Sequence, residues 1–435
     1  MNRILTLTAA AACVAALSLV RTADAAVPLA DIDVNQDGVI NIGDYMQVAY
    51  GTTPRRDINH DGVVNSSDQV LVIMNFGKWV TPPASSTATM TPTRTATPAP
   101  TRTPSATSSP IPTITAGSRD KLKQPFASTS VWNMPIGSSA QYVAARISTN
   151  GGYWTDEEPI IMGGNTMLDA WVNGNWPISG NIAGTKLPYQ VPVPAGLVTH
   201  SATDIGNQAN FAGAYLKADG RTLVEAQGLV VRSNAVTMMI ERSSHDIYAD
   251  GLPAVGGHGG SGLSGIGGSI RTWEAQSDVA IRHAIKVLIS DLDLSAASGG
   301  YRWPARNADS GYAARYIGGN IDLRMGALLA LHPSDDINAI GLTTAFGKRV
   351  AWTLQNYGMY VVDELFGTWN PIAMTVEYGV NEALSARFGS SLQGGAIAAD
   401  IGRLFSRLFV VANNGPASVG GGGTPRQPLA PTIGN

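Results

Sequence analysis

The stretch DVNQDGVINIGD, from Asp33 to Asp44, returns 24 residues later as DINHDGVVNSSD, from Asp57 to Asp68. Each copy sets oxygen-bearing side chains at positions 1, 3, 5, 9 and 12 around a glycine at position 6. Calcium takes six to eight oxygens at about 2.3 to 2.6 Å, and a chain supplies them only by folding back on itself in this way. The first loop offers the side chains of Asp33, Asn35 and Asp37, the carbonyl of Val39, Asn41 directly or through water, and Asp44 to close the far side. In the second loop the same roles fall to Asp57, Asn59, Asp61, Val63, Asn65 and Asp68. Gly38 and Gly62 stand at the sharp turn, where a side chain would be strained. Asx-rich surface turns can match such a pattern by chance. An in-register duplicate of every ligand disfavours that reading, and two Ca2+ sites are expected.

A short apolar run follows each loop, Tyr45 to Tyr50 before Gly51 and Gln69 to Phe76 before Gly77. Both read as single helices opened by the position-12 aspartate and stopped by glycine. Residues 1–25 carry Arg3, an apolar alanine-rich stretch from Ile4 to Val20, and Ala23-Asp24-Ala25 at the spacing of a cleavage site, the pattern of a secretory signal peptide. Cleavage there leaves a handful of residues before Asp33, too few for the entering helix of a full EF-hand. The module is therefore loop then helix, twice. On these residues the segment 30–78 resembles a type I dockerin. The resemblance implies a small all-α, calcium-binding module that docks on a cohesin of another protein. It also implies recognition through loop positions 10 and 11, here Ile42 with Gly43 and Ser66 with Ser67. The two pairs differ, which favours one binding face over two equivalent ones.

The sole cysteine, Cys13, lies inside the signal segment, so the exported chain has neither disulfides nor a thiol nucleophile. Residues 79–117 are dominated by Thr, Pro, Ser and Ala, a composition unable to bury a core, and read as a semi-extended linker. A secreted, extracellular location is expected.

Residues 118–435 are long enough for one large domain or two tightly packed ones. Net charge of −3 and 14% charged residues argue against nucleic acid, which calls for a basic stripe, and no apolar run is long enough for a membrane span. Short β-branched runs at Gly213 to Leu216, Leu223 to Glu225, Leu229 to Arg232 and Val236 to Glu241 read as strands, as do His283 to Ile289 and Met325 to Leu331. Thr344 to Tyr357 reads as a helix leading into strands Met359 to Leu365 and Pro371 to Tyr378. Apolar residues at helical spacing predict a further helix over 395–412. The expected fold class is a β-rich α+β domain, a sandwich or barrel with late helices.

Its chemistry centres on Gly251 to Gly268, nine glycines around His258. Gly257, Gly259 and Gly262 spell GxGxxG, but without the strand and helix that a dinucleotide site needs. The glycines either bring backbone close to a flat ligand or build tight turns. Asp250 before the loop and Asp309 after the run Tyr301 to Asn307 are candidate carboxylates, as are Asp246, Asp363, Glu364 and Glu377. A glycosidase needs two carboxyl groups roughly 5 to 10 Å apart, one of them raised in pKa. A lyase needs a His or Tyr base and a cation facing a uronate. Trp154, Trp171, Trp176, Trp303 and Trp369 are candidates for stacking on sugar rings, Trp303 the best placed between Arg302 and Arg306. Two glycine-rich segments, at 258–271 and 413–431, resemble secreted microbial proteins of unassigned activity. The dockerin resemblance implies a polysaccharide partner, because such cargo is most often carbohydrate-active. The first expectation is a hydrolase or lyase with Asp250, His258 and Asp309 as catalytic residues. The alternative is a noncatalytic carbohydrate-binding or structural module.

Overall fold

The computed structural model describes residues 28–34, 48, 57–60, 63, 64, 68, 71, 72, 118–149, 153–174, 184–199, 211–365 and 372–434. The chain divides into two compact units, 1–101 and 102–435, and the division falls inside the segment expected to be a linker.

In the first unit, Ile32, Val34, Val48, Ile58 and Val72 are buried together as a small apolar core. Val48, Asp68, Leu71 and Val72 are helical. One helical turn, Leu29–Ile32, precedes the first loop, and it is far shorter than an EF-hand's entering helix. Asp68, the last residue of the second repeat, accepts hydrogen bonds from Ile58 N at 2.8 Å and Asn59 N at 3.2 Å, which ties the repeat's end to its start. Asp33 is buried and Val63 exposed. The other expected calcium ligands, Asn35, Asp37, Val39, Asn41, Asp44, Asp61 and Asn65, and the docking pairs Ile42, Gly43, Ser66 and Ser67, lie outside the described residues.

The second unit is β-rich, with three sheets among the described residues. Seven strands form the largest. Its order runs β1 (Tyr142–Ala144), β15 (Phe409–Val411), β12 (Leu328–Ala330), β13 (Met359–Leu365), β11 (Ile285–Ser290), β14 (Ile372–Glu377) and β2 (Tyr153–Glu158). The sheet is mixed: β11 is parallel to β13 and β14 to β2, while β11 and β14 are antiparallel. A second sheet joins β10 (Ile240–Asp246), β7 (Thr222–Gln227), β6 (Gly213–Leu216) and β3 (Ile160–Ile161). The third joins β5 (Thr185–Val193), β4 (Thr166–Val172), β9 (Ala235–Met238) and β8 (Val230–Val231). Pro188 and Pro192 lie on β5, an edge strand, where a missing N–H costs no ladder bond.

The pleat sorts each central strand onto two faces. On β11, Ile285, Val287 and Ile289 join one core cluster. The helices Ala345–Asn356, Val380–Phe388 and Gly395–Phe405 supply Phe346, Val350, Leu354, Leu384, Ile397, Ile401 and Leu404 to that same cluster. Leu288, Tyr360, Val362 and Ala373 point the other way and pack with Phe126, Trp132, Leu263 and Ile266. Trp132 is the keystone of that side. Its indole donates to Gly251 O at 2.9 Å and meets Tyr360 edge-on at 5.4 Å. A Cβ on Gly267 would fall 2.3 Å from the indole nitrogen, so this glycine is required by close approach.

The predicted 395–412 helix needs correction. It stops at Phe405, and Phe409–Val411 forms a strand between β1 and β12. Leu408 and Val411 continue the helical spacing by accident, and β-branched Val410 and Val411 pair instead with Val143 and Tyr142. The expected strands at 283–289 and 325–331 occur as the shorter Ile285–Ser290 and Leu328–Ala330. Among the described residues, no helix is long and apolar enough to cross a membrane.

Candidate active site

Strand β2 carries the sequence YWTDEE, and alternation puts Asp156 and Glu158 on one face. Register extends that face across the sheet. Asp156 lies opposite Thr375 on β14, and Thr375 opposite Lys286 on β11, so three polar residues form one row. A shift of register between Val287 and Leu288 sets Asp363 of β13 opposite Leu288, one pleat further along. A buried acidic and basic row on a sheet face must be covered by polar partners, and the glycine-rich segment provides them.

His258 descends from that segment. Its Nε2 lies 2.8 Å from Glu158 Oε1 and 3.0 Å from Lys286 Nζ, and its Nδ1 lies 3.8 Å from Asp363 Oδ2. Lys286 Nζ donates to Glu158 Oε2 at 2.6 Å and to the carbonyls of Gly265 at 3.0 Å and Ser264 at 3.3 Å. The side chains of Glu158, His258 and Lys286 are fully buried. Burial and Lys286 oppose protonation of His258, but Glu158 and Asp363 outweigh them and push the imidazole up to about 9. Burial pushes Lys286 down. These directions fit the nitrogen–nitrogen contact, in which one partner must offer a lone pair. Burial and the charge of Glu158 raise Asp156 to about 7.

Asp156, Glu158 and His258 offer ligand atoms within 4.8 Å of one another, a set able to hold a metal ion. Lys286 bonds two of those three side chains directly, so the chain's own amine occupies the position that a cation would take.

A second buried carboxylate fixes the glycine segment. Glu225, on β7, accepts from Gly257 N at 3.0 Å, Gly265 N at 2.6 Å and Ser264 Oγ at 2.6 Å, and His245 Nε2 lies 2.9 Å away. Burial alone would raise its pKa, but His245, Ser264 and Gly265 together hold it below the usual carboxylate value. The two glycine amides, one on each side of His258, converge on a single oxygen, and this sets where the imidazole lands.

The cluster approaches solvent at Asp309. Tyr316 donates to Asp309 Oδ2 at 2.7 Å, and Asn307 donates to the carbonyls of Gly259 at 3.1 Å and Gly260 at 2.7 Å. A Cβ on Gly260 would sit 2.3 Å from Asp309 Oδ2, so only glycine fits beside this carboxylate. Burial first, then the charges of Asp363 and Glu364, raise Asp309 to about 7. Arg315 forms an ion pair with Glu364 beside it.

The sequence candidates are thus placed as follows. His258 and Asp309 both act electrostatically on or through Asp363. Asp250 is exposed and caps a turn by accepting from Leu252 N at 3.0 Å, so it does not join them. Trp303 is partly buried in the core, and Arg302 and Arg306 bind the carbonyls of Ala412 and Leu252. Trp154 is 47% exposed. Trp176 and Trp369 lie outside the described residues. The spacing-based search passed over Asp156, Glu158, Glu225 and Lys286. Two signals for them exist: Asp156 and Glu158 at strand period, and a lone lysine inside the apolar run Ile285–Ser290, which burial obliges to have a partner.

No family model, no curated protein and no solved structure matches the chain.

Proposed function

We propose that the large domain is a carbohydrate-active enzyme working at Asp309 and Glu364, with Asp363 buried behind them. It belongs to a secreted protein whose dockerin module binds two Ca2+ ions and a cohesin-bearing partner. One observation carries the enzymatic half: a largely buried carboxyl at the edge of the cluster, Asp309, is raised to about 7 beside two further carboxyl groups. Cleavage of a glycosidic bond needs a proton donor for the leaving oxygen and a second carboxylate for the sugar ring or its attacking water. Asp309 suits the first role and Asp363 the second. His258 Nδ1 stands 3.8 Å from Asp363 Oδ2 and backs that carboxyl from the buried side.

Between hydrolysis and elimination, Tyr316 favours hydrolysis. A lyase would use it as the base, yet burial and Asp309 push its hydroxyl well above the ordinary tyrosine value, so it keeps its proton. Arg315 is likewise engaged by Glu364 and is not free to neutralise a uronate.

The test is a polysaccharide panel assayed for new reducing ends and for unsaturated products with the full chain. Reducing ends without unsaturation are expected. Asp309→Asn should lower the rate about 10²- to 10⁴-fold, the usual worth of a general acid. Retention of a polysaccharide with no product from any panel member would replace this reading by a noncatalytic carbohydrate-binding module.

A further inference from the structure

Glu158 and Lys286 take no direct part in that chemistry, and their geometry is that of reactants. We infer that the two side chains are joined in the mature protein by an isopeptide bond between Lys286 Nζ and the Glu158 side-chain carboxyl carbon. Four observations carry it. The amine lies 2.6 Å from a carboxyl oxygen with both side chains fully buried, so the reacting groups are already in near-attack range and shielded from hydrolysis. Both sit on strands of one sheet, separated only by β14, which fixes their approach. The Gly265 and Ser264 carbonyls, at 3.0 and 3.3 Å, hold two hydrogens of the amine, so that when the third, now donated to Glu158, passes to that carboxylate, the lone pair it leaves faces the protonated carboxyl. A third carboxyl, Asp156, lies within 4.8 Å of the Glu158 and His258 ligand atoms and can relay a proton.

The step balances without a further reagent. The lone pair on Nζ attacks the protonated carboxyl, the new N–C bond forms, and the bond from that carbon to its hydroxyl oxygen breaks. The oxygen leaves as water, with its own proton and one from Nζ. Asp156 gives a proton to the departing oxygen as it takes one from the nitrogen, and it ends unchanged. The product replaces a buried ion pair by a neutral amide and so removes a desolvation cost that such a pair carries in a dry core. The only cysteine in the chain is Cys13, so a disulfide cannot supply an equivalent tie between these strands.

Intact-mass measurement of the denatured full chain, followed by peptide mapping, tests this directly. The expected result is a mass lower by one water and a branched peptide joining the segments around residues 158 and 286. Asp156→Ala should restore the full mass and yield the two linear peptides. Recovery of linear peptides with free Lys286 and free Glu158 from the unaltered chain would overturn the inference, as would a water loss mapped to another site such as Asp61-Gly62. The outcome does not depend on any activity toward polysaccharide.

Discussion

Replacing Glu225 probes how the glycine segment is held. The Glu225→Ala change removes the acceptor for Gly257 N, Gly265 N, Ser264 Oγ and His245 Nε2 in a fully buried place. A buried donor left without a partner costs about 1 to 3 kcal/mol. Water entering the vacated space recovers part of this, so a net loss of roughly 4 kcal/mol is expected, among the larger effects of single substitutions. Glu225→Gln keeps the shape and one oxygen. Its amide then faces Ser264, whose oxygen already accepts from Ile266 N and Gly267 N, and the loss should be about 2 kcal/mol. For a domain of this size, thermal unfolding at neutral pH should show the alanine variant on the order of 10 °C lower. The sign of the pH dependence follows from the depressed pKa. The ionised carboxylate stabilises the fold above the unfolded value of 4.5, and this contribution fades as pH falls through the lower folded value. The gap between parent and Gln variant should therefore narrow in acid. An alanine variant within about 1 kcal/mol of the parent, or a gap that widens in acid, would refute the view that this carboxylate anchors the segment.

Asp400 accepts from Thr343 N at 2.9 Å and Thr344 N at 2.7 Å at the start of the helix Ala345–Asn356. Asp400→Ala should cost about 2 to 3 kcal/mol in urea unfolding, and a cost near zero would count against it. Gly260→Ala places a methyl 2.3 Å from Asp309 Oδ2, so it should displace that carboxyl and shift the alkaline limb of the pH–rate profile, which a proton donor governs. An unchanged profile would mean that Asp309 is not the proton donor. Chelation by EDTA should abolish the calorimetric transition of residues 30–78 and spare that of the large domain. A thermogram with no change would remove the calcium assignment.

Much of the large domain's back half was legible because its signals are local. Thr344 caps by accepting from Gly347 N, Gly358 at φ +78° stops the helix Ala345–Asn356, and the strand Met359–Leu365 begins at once. Of the front strands, Gly213–Leu216, Thr222–Gln227, Val230–Val231 and Ala235–Met238 were legible from their β-branched runs, and those before residue 200 were not. Tyr153–Glu158 has no apolar run to mark it, and its Glu158 answers to Lys286 and His258, which lie 100 or more residues away in sequence. The same distance hid the site. His258 stood out as the one histidine in a run of glycines, but nothing local says that Glu225 fixes its loop. Asp250 attracted attention through proximity in sequence, while the structure gives it to a turn and gives Asp363 to the cluster. The docking pairs and most calcium ligands rest on the repeat pattern.

The order of strands in the large sheet also bears on how the protein is made. Strand β15, Phe409–Val411, is inserted between β1 and β12, and Arg119 forms a bridge with Ile433 near the other end of the chain. The sheet cannot close around β1 until Phe409–Val411, some 265 residues further along, is available. Pairing of β1 must then await Phe409–Val411, and such distant pairings make folding slow. A truncation of the last thirty or so residues would leave β1 without its partner and the sheet open at that edge.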